Sequence, residues 1–470
     1  MLFNTFSYWI FFFVTILVFY SVPFHFGKWV LFFASCLFYM FWNPIFIILL
    51  GGIIILDFIA GILIDRSEGK VRFYWLLLSL IANLGILAFF KYYNFFAGLI
   101  ATSLGRPETE FALSIILPLG ISFHTFQSMS YTIDVYQRKN KATRNFLDFA
   151  LFVTFFPQLV AGPIVRAETF FPELENWIPP STEFIRRGTS LIFVGLMKKA
   201  VFADHFALIS DEYFNHITAY PGAIESWLGV IAFAMQIFFD FSGYTDIARG
   251  CAYILGWEFP LNFARPYLSN NITEFWRRWH ISLSSWLRDY LYIVLGGNRG
   301  GVIKTYRNLF ITMLLGGFWH GASWNFLIWG GFHGLMLSLH RVLNRFYIFL
   351  KIESIVGLPA VYPLRMLFTF AAVCIGWVFF RAATFQDSIT VIGNLMSFSH
   401  STGAALWTKG ASAMLVISIV FALLEEHYGL VRRFNESSQW VKVAVYTSVL
   451  LGLQIFSYSK KAIPFIYFQF

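Results

Sequence analysis

Two histidines stand out by what surrounds them. His320 lies in Gly316-Gly317-Phe318-Trp319-His320-Gly321-Ala322-Ser323-Trp324, and His280 follows Trp276-Arg277-Arg278-Trp279. Imidazole is the side chain whose ordinary titration lies nearest neutral pH, so it suits taking a proton from a poor nucleophile such as a hydroxyl. Both histidines occur in a chain that otherwise reads as lipid-embedded. An ionisable side chain is costly there and marks a functional position by default. A lone histidine on an apolar helix is more often a packing residue, so the case rests on the elements that hold the pair.

Composition sets the class of those elements. Of 470 residues, 58% are hydrophobic and 21% aromatic, with only 13% charged. A soluble domain carries about 25% charged residues. The chain therefore reads as an all-α polytopic membrane protein. Its net charge of +9 comes from basic residues spread over short loops. That pattern sets topology and meets anionic lipid, so nucleic acid is not an expected partner. Cys36, Cys251 and Cys374 lie far apart in apolar runs. They read as buried free thiols, with no spacing for a metal or a disulfide framework. No Lys or Arg precedes the first apolar run and no small-residue cleavage site closes it, so it is expected to stay as a membrane helix.

A helix crosses a bilayer with about 20 apolar residues. Apolar runs cover 7–24, 29–42, 45–64, 73–90, 111–135, 146–160, 190–203, 224–241, 245–257, 308–319, 323–340, 367–380, 412–424 and 441–456. Several are too short to cross alone, which predicts roughly eleven transmembrane helices plus re-entrant or interfacial pieces. Residues 137–145 carry Arg138, Lys139, Lys141 and Arg144 without an acid and are expected on the cytoplasmic side. Glu108 and Glu110 place 106–110 outside, and the N-terminus is expected outside as well. The longest polar stretch, 162–188, keeps Phe170, Phe171, Trp177 and Ile178, so it reads as interfacial and 1–470 as a single integral membrane domain.

Two segments depart from ordinary spans. Over 271–297, Asn271 or Thr273 can cap a helix start and Gly296-Gly297 can end it. Trp276, Trp279, Leu283, Leu287 and Tyr290 form an apolar stripe at helical spacing, and Arg278, Ser282, Ser285 and Asp289 form another face. This predicts one amphipathic helix lying in or just below the interface, with His280 at the edge of the apolar stripe. Arg277, Arg278 and Arg288 among Trp276, Trp279 and Trp286 suit either an interfacial belt or an anionic ligand.

The second segment, 299–351, has basic residues at both ends: Arg299, Lys304 and Arg307, then Arg341, Arg345 and Lys351. If both ends are cytoplasmic, the stretch between them must go in and come back. Residues 308–319 make about 18 Å of helix, short of a roughly 30 Å core, so His320 is expected at the tip of a hairpin at membrane depth. Gly316, Gly317 and Gly321 would permit close backbone approach there. His333, if 323 onward is one helix, is expected roughly 15 Å or more from the tip, packed and hydrogen-bonded. His124, His205, His216, His340, His400 and His427 lack a comparable setting.

A third polar cluster joins Gln236, Asp240, Ser242, Tyr244, Asp246 and Arg249. Asp240 with Tyr244 and Asp246 with Arg249 have the spacing to pair on a helix face. These carboxylates either line a substrate path or fix helix packing. The candidate substrate-facing set is thus Trp276, Arg277, Trp279, Arg288, Asp289 and Trp319, with Gln236, Asp240, Tyr244 and Asp246.

The run 274–290 (Glu-Phe-Trp-Arg-Arg-Trp-His-Ile-Ser-Leu-Ser-Ser-Trp-Leu-Arg-Asp-Tyr) followed by the Trp-His-Gly run at 316–324 resembles the membrane-bound O-acyltransferase family. Residues 157–164 (Pro-Gln-Leu-Val-Ala-Gly-Pro-Ile), 240–246 (Asp-Phe-Ser-Gly-Tyr-Thr-Asp), 295–299 (Leu-Gly-Gly-Asn-Arg) and 465–468 (Phe-Ile-Tyr-Phe) are similar to its bacterial branch, which O-acetylates alginate and peptidoglycan. The teichoic-acid D-alanyl transferases resemble the chain less closely. The resemblance implies helices around a central tunnel, with His320 as the catalytic histidine and His280 as the supporting one. It also implies a cytoplasmic acetyl-CoA donor, no metal, a polysaccharide acceptor and the bacterial inner membrane. The chain carries no Ser-His-Asp esterase module, so an extracytoplasmic partner protein is the expected immediate acceptor. Direct transfer and an acyl-histidine intermediate both stay open, and an acyl or glycan transporter is the alternative from another class.

Overall fold

The computed structural model describes residues 3–351, 358–397, 406, 409–456 and 465. Every regular element among them is helical, and by Cα packing the chain divides into two compact units. One comprises Met1–Ile192 with Tyr244–Pro260, the other Phe193–Gly243 with Leu261–Phe470.

The first unit is built on α1 (Phe6–Ser21), α2 (Phe24–Met40), α3 (Phe46–Arg66), α4 (Gly69–Leu87), α5 (Tyr93–Ser103), α6 (Ile121–Tyr136), α7 (Phe146–Thr154), α8 (Phe156–Leu159) and α9 (Ala167–Glu175). Helices α3, α4 and α6 pack together around Asp57, which is fully buried. Its carboxylate accepts from Ser79 (2.6 Å) and Asn83 (2.8 Å) of α4 and from Ser128 of α6. A buried carboxylate needs such donors, because nothing else in an apolar helix bundle satisfies its lone pairs. Two expected spans are broken. The run 111–135 becomes helical only at Ile121, after Gly120 takes a left-handed turn (φ 71°). The run 146–160 breaks at Phe155, where Pro157 opens α8 and has no N–H to continue α7.

Helix α10 (Thr182–Met197) runs into a π-helical turn, Lys198–Ala203, followed by α11 (Asp204–Asn215) and α12 (Ala223–Leu255). The runs 224–241 and 245–257, expected as two spans, form this single 33-residue helix. Gly243 does not break it. A Cβ there would lie 2.8 Å from the Gly195 carbonyl oxygen, so the glycine serves close packing. The second unit continues through α13 (Ile272–Arg278), α14 (Ile281–Leu287), α15 (Val302–His320), α16 (Trp324–Phe349), α17 (Tyr362–Arg381), α18 (Phe385–Leu395), α19 (Lys409–Tyr428), α20 (Leu430–Glu436) and α21 (Gln439–Phe456).

Among the described residues, five helical stretches are long and apolar enough to cross a membrane: Phe46–Arg66, Gly69–Ser103, Ala223–Leu255, Pro359–Arg381 and Gly410–Tyr428. Phe6–Ser21 and Phe24–Met40 are apolar but shorter. The all-α, multi-pass class holds; these five stretches and two shorter apolar helices leave the expected count of roughly eleven unconfirmed among the described residues. The cysteines are free; Cys251 and Cys374 are buried as expected, and Cys36 is only half-buried.

Candidate active site

The segment expected as one amphipathic helix is two short ones with a break at the histidine. Asn271 caps the start, its side-chain oxygen accepting from the Glu274 N–H at 2.8 Å. Gly296 (φ 107°) and Gly297 (φ 54°) mark the end. Between α13 and α14, Trp279 is extended and His280 is left-handed (φ 42°). A non-glycine residue in that region costs roughly 1–2 kcal/mol and persists only when its surroundings over-determine it. Here the chain at Asn262–Ala264 supplies the restraint. The Ile281 N–H donates to the Asn262 carbonyl (2.9 Å), and the Ala264 N–H donates to the Arg278 carbonyl (2.9 Å).

Four of the five stripe residues are buried all the same, Trp279, Leu283, Leu287 and Tyr290 at 1–6% exposure, and Trp276 is half-buried. His280 is wholly enclosed. Phe241 of α12 meets its ring edge-on at 4.7 Å, Phe263 lies at 6.3 Å and Trp319 at 6.5 Å. Its Nδ1 is 3.2 Å from the Asn262 side-chain oxygen. Helices α13 and α14 have seven residues each, too few to cross a bilayer. In this non-crossing turn, burial pushes the His280 imidazole down to about 3.

His320 is the last residue of α15, and the turn 321–323 leads into α16. The hairpin forms as expected, but its first arm has 19 residues rather than the twelve-residue run read from the sequence. At 1.5 Å per residue that is about 28 Å, close to a hydrocarbon core. Arm length therefore does not place His320; packing does. A Cβ on Gly317 would lie 2.2 Å from the Phe326 carbonyl oxygen, and one on Gly321 would lie 2.1 Å from the Phe326 ring. Gly316 is less critical, its nearest neighbour being the Leu287 methyl at 3.0 Å. The imidazole, 5% exposed, is walled by Trp319 (4.9 Å), Trp329 of α16 (5.1 Å) and Phe380 of α17 (5.2 Å). Trp319 thus touches both histidine rings.

His333 is nearer to this centre than expected. Its ring lies 4.9 Å from Trp329, so a single indole separates it from His320. It is packed as expected, also against Trp276 at 5.1 Å, but among the described residues neither ring nitrogen has a hydrogen-bond partner. His124, set aside from the sequence, is likewise buried in the first unit, with neither ring nitrogen hydrogen-bonded among the described residues. His400 lies outside the described residues.

Trp276, Trp279 and Trp319 come together with the histidines. Trp276 meets Trp329 at 5.7 Å, and Trp279 meets Trp377 at 4.9 Å. Asp240 precedes Phe241 and is held by Lys199 at 2.9 Å, which also binds Asp204 at 2.9 Å. Gln236, one turn before Asp240, is buried. Tyr244 and Asp246 belong to the first unit, where Tyr244 stacks on Phe3 (4.3 Å) and Asp246 faces Arg249 at 3.8 Å, the pairing expected from spacing. Arg277 and Arg288 are exposed, and Arg288 binds its neighbour Asp289 at 2.6 Å. Arg278 binds Glu274 (2.7 Å) and Glu426 (3.1 Å). Among the described residues no cluster of His, Cys, Asp and Glu is placed to hold a metal ion. Of the terminal motif, only Phe465 is described; it is buried 5.6 Å from Phe241.

Asn262, Lys199, Trp329 and Phe380 went unnoticed in the sequence. Asn262 lies 18 residues from His280 with no local pattern to link them.

Residues 69–378 match the membrane-bound O-acyltransferase family. The chain is 37% identical to a probable alginate O-acetylase of Pseudomonas putida, covering 93% of each sequence. It is 34% identical to a peptidoglycan O-acetyltransferase of Helicobacter pylori over 93% of this chain and 90% of that one. A teichoic acid D-alanyltransferase of Bacillus subtilis is 29% identical over 58% of this chain and 71% of its own length. With two-thirds of its length inside the family match and relatives aligned nearly end to end, the chain belongs to the membrane-bound O-acyltransferase family and is an acyltransferase.

Proposed function

We propose that this protein moves an acetyl group from cytoplasmic acetyl-CoA across the bacterial inner membrane, by way of a partner protein, to a hydroxyl on an extracytoplasmic polysaccharide of the alginate or peptidoglycan kind. A partner protein presents the immediate acceptor hydroxyl. The carrying observation is that two enclosed imidazoles, His280 and His320, share the Trp319 indole as a wall.

In this reading His320 is the general base. Its ring nitrogen takes the hydroxyl proton as the oxygen attacks the thioester carbonyl carbon. The C–S bond breaks, the acetyl group stays on the acceptor oxygen, and the departing thiolate receives the proton. His280 either orients the hydroxyl or stabilises charge on the thioester oxygen. Trp276, Trp279 and Trp319 shape the apolar surroundings that exclude bulk water. Asp240 and Gln236 form the polar flank on α12, and Tyr244 and Asp246 continue along the same helix. Arg277 and Arg288, being exposed, are better suited to the CoA phosphates or lipid headgroups than to the reacting atoms.

A positioned base is worth about 10²–10⁴-fold. His320→Ala is expected to purify with wild-type yield and melting temperature and to lose acetyl transfer by that factor. Full activity in that variant overturns the assignment. Thioester cleavage by the isolated protein separates this reading from a transporter, which would move its substrate intact.

A further inference from the structure

The side chain of Asn262 is tied to the His280 turn more tightly than packing requires. Its oxygen is approached by three groups: His280 Nδ1 at 3.2 Å, the Ser282 N–H at 3.1 Å and the Ser282 hydroxyl at 3.0 Å. All four residues concerned with the turn, Asn262, Trp279, His280 and Ser282, are buried. We infer that Asn262 is a positioning residue that holds His280 as the Nδ1–H tautomer, so that Nε2 is the nitrogen that works on substrate. The inference rests on the participation of His280 in acyl transfer.

The assignment follows from donor and acceptor inventory. A backbone N–H only donates, so the atom it approaches at 3.1 Å is the amide oxygen and not the amide nitrogen. That oxygen only accepts, so His280 Nδ1 carries the proton. A neutral imidazole has one N–H, which leaves Nε2 as the acceptor. Of the two roles open to His280, donating to the thioester oxygen needs an Nε2–H. Orienting a hydroxyl needs an Nε2 lone pair. The Asn262 contact selects the second.

The choice of amide over carboxylate has a physical reason. An aspartate would fix the same tautomer but would favour the imidazolium. Aromatic rings line the imidazole: Phe241 from α12, Phe263 beside Asn262, and Trp319 from α15. The ionisable groups next in sequence to these rings are Asp240, bound to Lys199, and His320, packed against Trp319. The amide therefore orients His280 while leaving it neutral.

The test uses the full-length protein in detergent or nanodiscs, with acetyl-CoA as donor. Nitrogen-15 histidine spectra, with the His280 signal identified by its loss in His280→Asn, are expected to show the Nδ1–H form in the wild type. An Nε2–H form overturns the inference, and this measurement needs no altered Asn262. Rates across roughly pH 5–9 supply the second readout. Asn262→Asp keeps the acceptor and adds charge. Its rate is expected to fall as pH drops through a new inflection between about pH 5 and 8, because protonated His280 cannot accept. Asn262→Leu is expected to lower kcat by about tenfold or more with no such inflection and an unchanged KM for acetyl-CoA. A wild-type-shaped profile in Asn262→Asp overturns the inference. Full activity in His280→Asn would instead overturn the participation of His280, whatever tautomer the spectra report.

Discussion

The hairpin that ends in His320 makes a quantitative prediction at Gly317. A Cβ at that position would lie 2.2 Å from the Phe326 carbonyl oxygen and 2.9 Å from both N and Cα of Gly330. These are backbone atoms of α16 and cannot rotate away. A tight carbon–oxygen contact needs about 3.3 Å, so α15 and α16 must separate locally by about 1 Å in Gly317→Ala. Overpacking of this kind costs about 1–3 kcal/mol. His320 lies three residues further along α15, against Trp329 of α16, so the shift is transmitted to the imidazole. A misplacement of about 1 Å at a reacting group can cost on the order of 10²-fold in rate. Gly331→Ala is the matched control. Its Cβ meets the Phe310 ring at 3.5 Å, an ordinary contact, and alanine favours the helix by up to about 1 kcal/mol. Thermal unfolding in detergent and acetyl-transfer rates, measured on both variants side by side, decide the matter. Gly317→Ala is expected to melt lower and lose most activity, and Gly331→Ala to match or exceed wild type. Equal stability and activity in the two variants would refute the argument that glycine packing sets the position of His320.

Other outcomes follow from buried charges and caps. Lys199→Met leaves Asp204 and Asp240 without their shared cation; breaking a buried pair this way is expected to cost about 3–5 kcal/mol in thermal stability. The triple variant Lys199→Met with Asp204→Asn and Asp240→Asn is expected to recover most of that loss. A triple variant no better than the single would show that the ion pairs are not the cause. Asn271→Ala removes the cap of α13 and is expected to cost about 1 kcal/mol by chemical or thermal unfolding. An unchanged midpoint would mean that α13 is held by its packing alone.

Much of the candidate site's geometry was legible because it rests on local signals. The Gly-Gly-Phe-Trp-His-Gly run marks a close turn whatever surrounds it, and Gly317 and Gly321 do seat against Phe326. The cap at Asn271 and the stop at Gly296-Gly297 also follow from residue type. The break at His280 was not legible. No proline or glycine stands between Trp276 and Ser285, and the apolar positions keep helical spacing through the break. Hydrogen bonds to Asn262 and Ala264, distant in sequence, hold the break in place of continued helix. The same holds for Asp240, whose neighbours in sequence suggest Tyr244 and whose described ion-pair partner is Lys199, on the π-helical turn that follows α10.

Composition determined that this is a membrane protein, since so few charges cannot clothe a soluble surface of this size, and the long apolar runs made its class all-α. Residue type and spacing marked His320 and His280 as expensive placements calling for a purpose. Only tertiary structure decided which rings enclose them, that Trp319 is their common wall, and that an asparagine holds one of them. Periodicity reports which side of an element faces inward. It carries no information about which distant residue meets it there, because that is settled by how helices pack and which backbone groups remain to be satisfied.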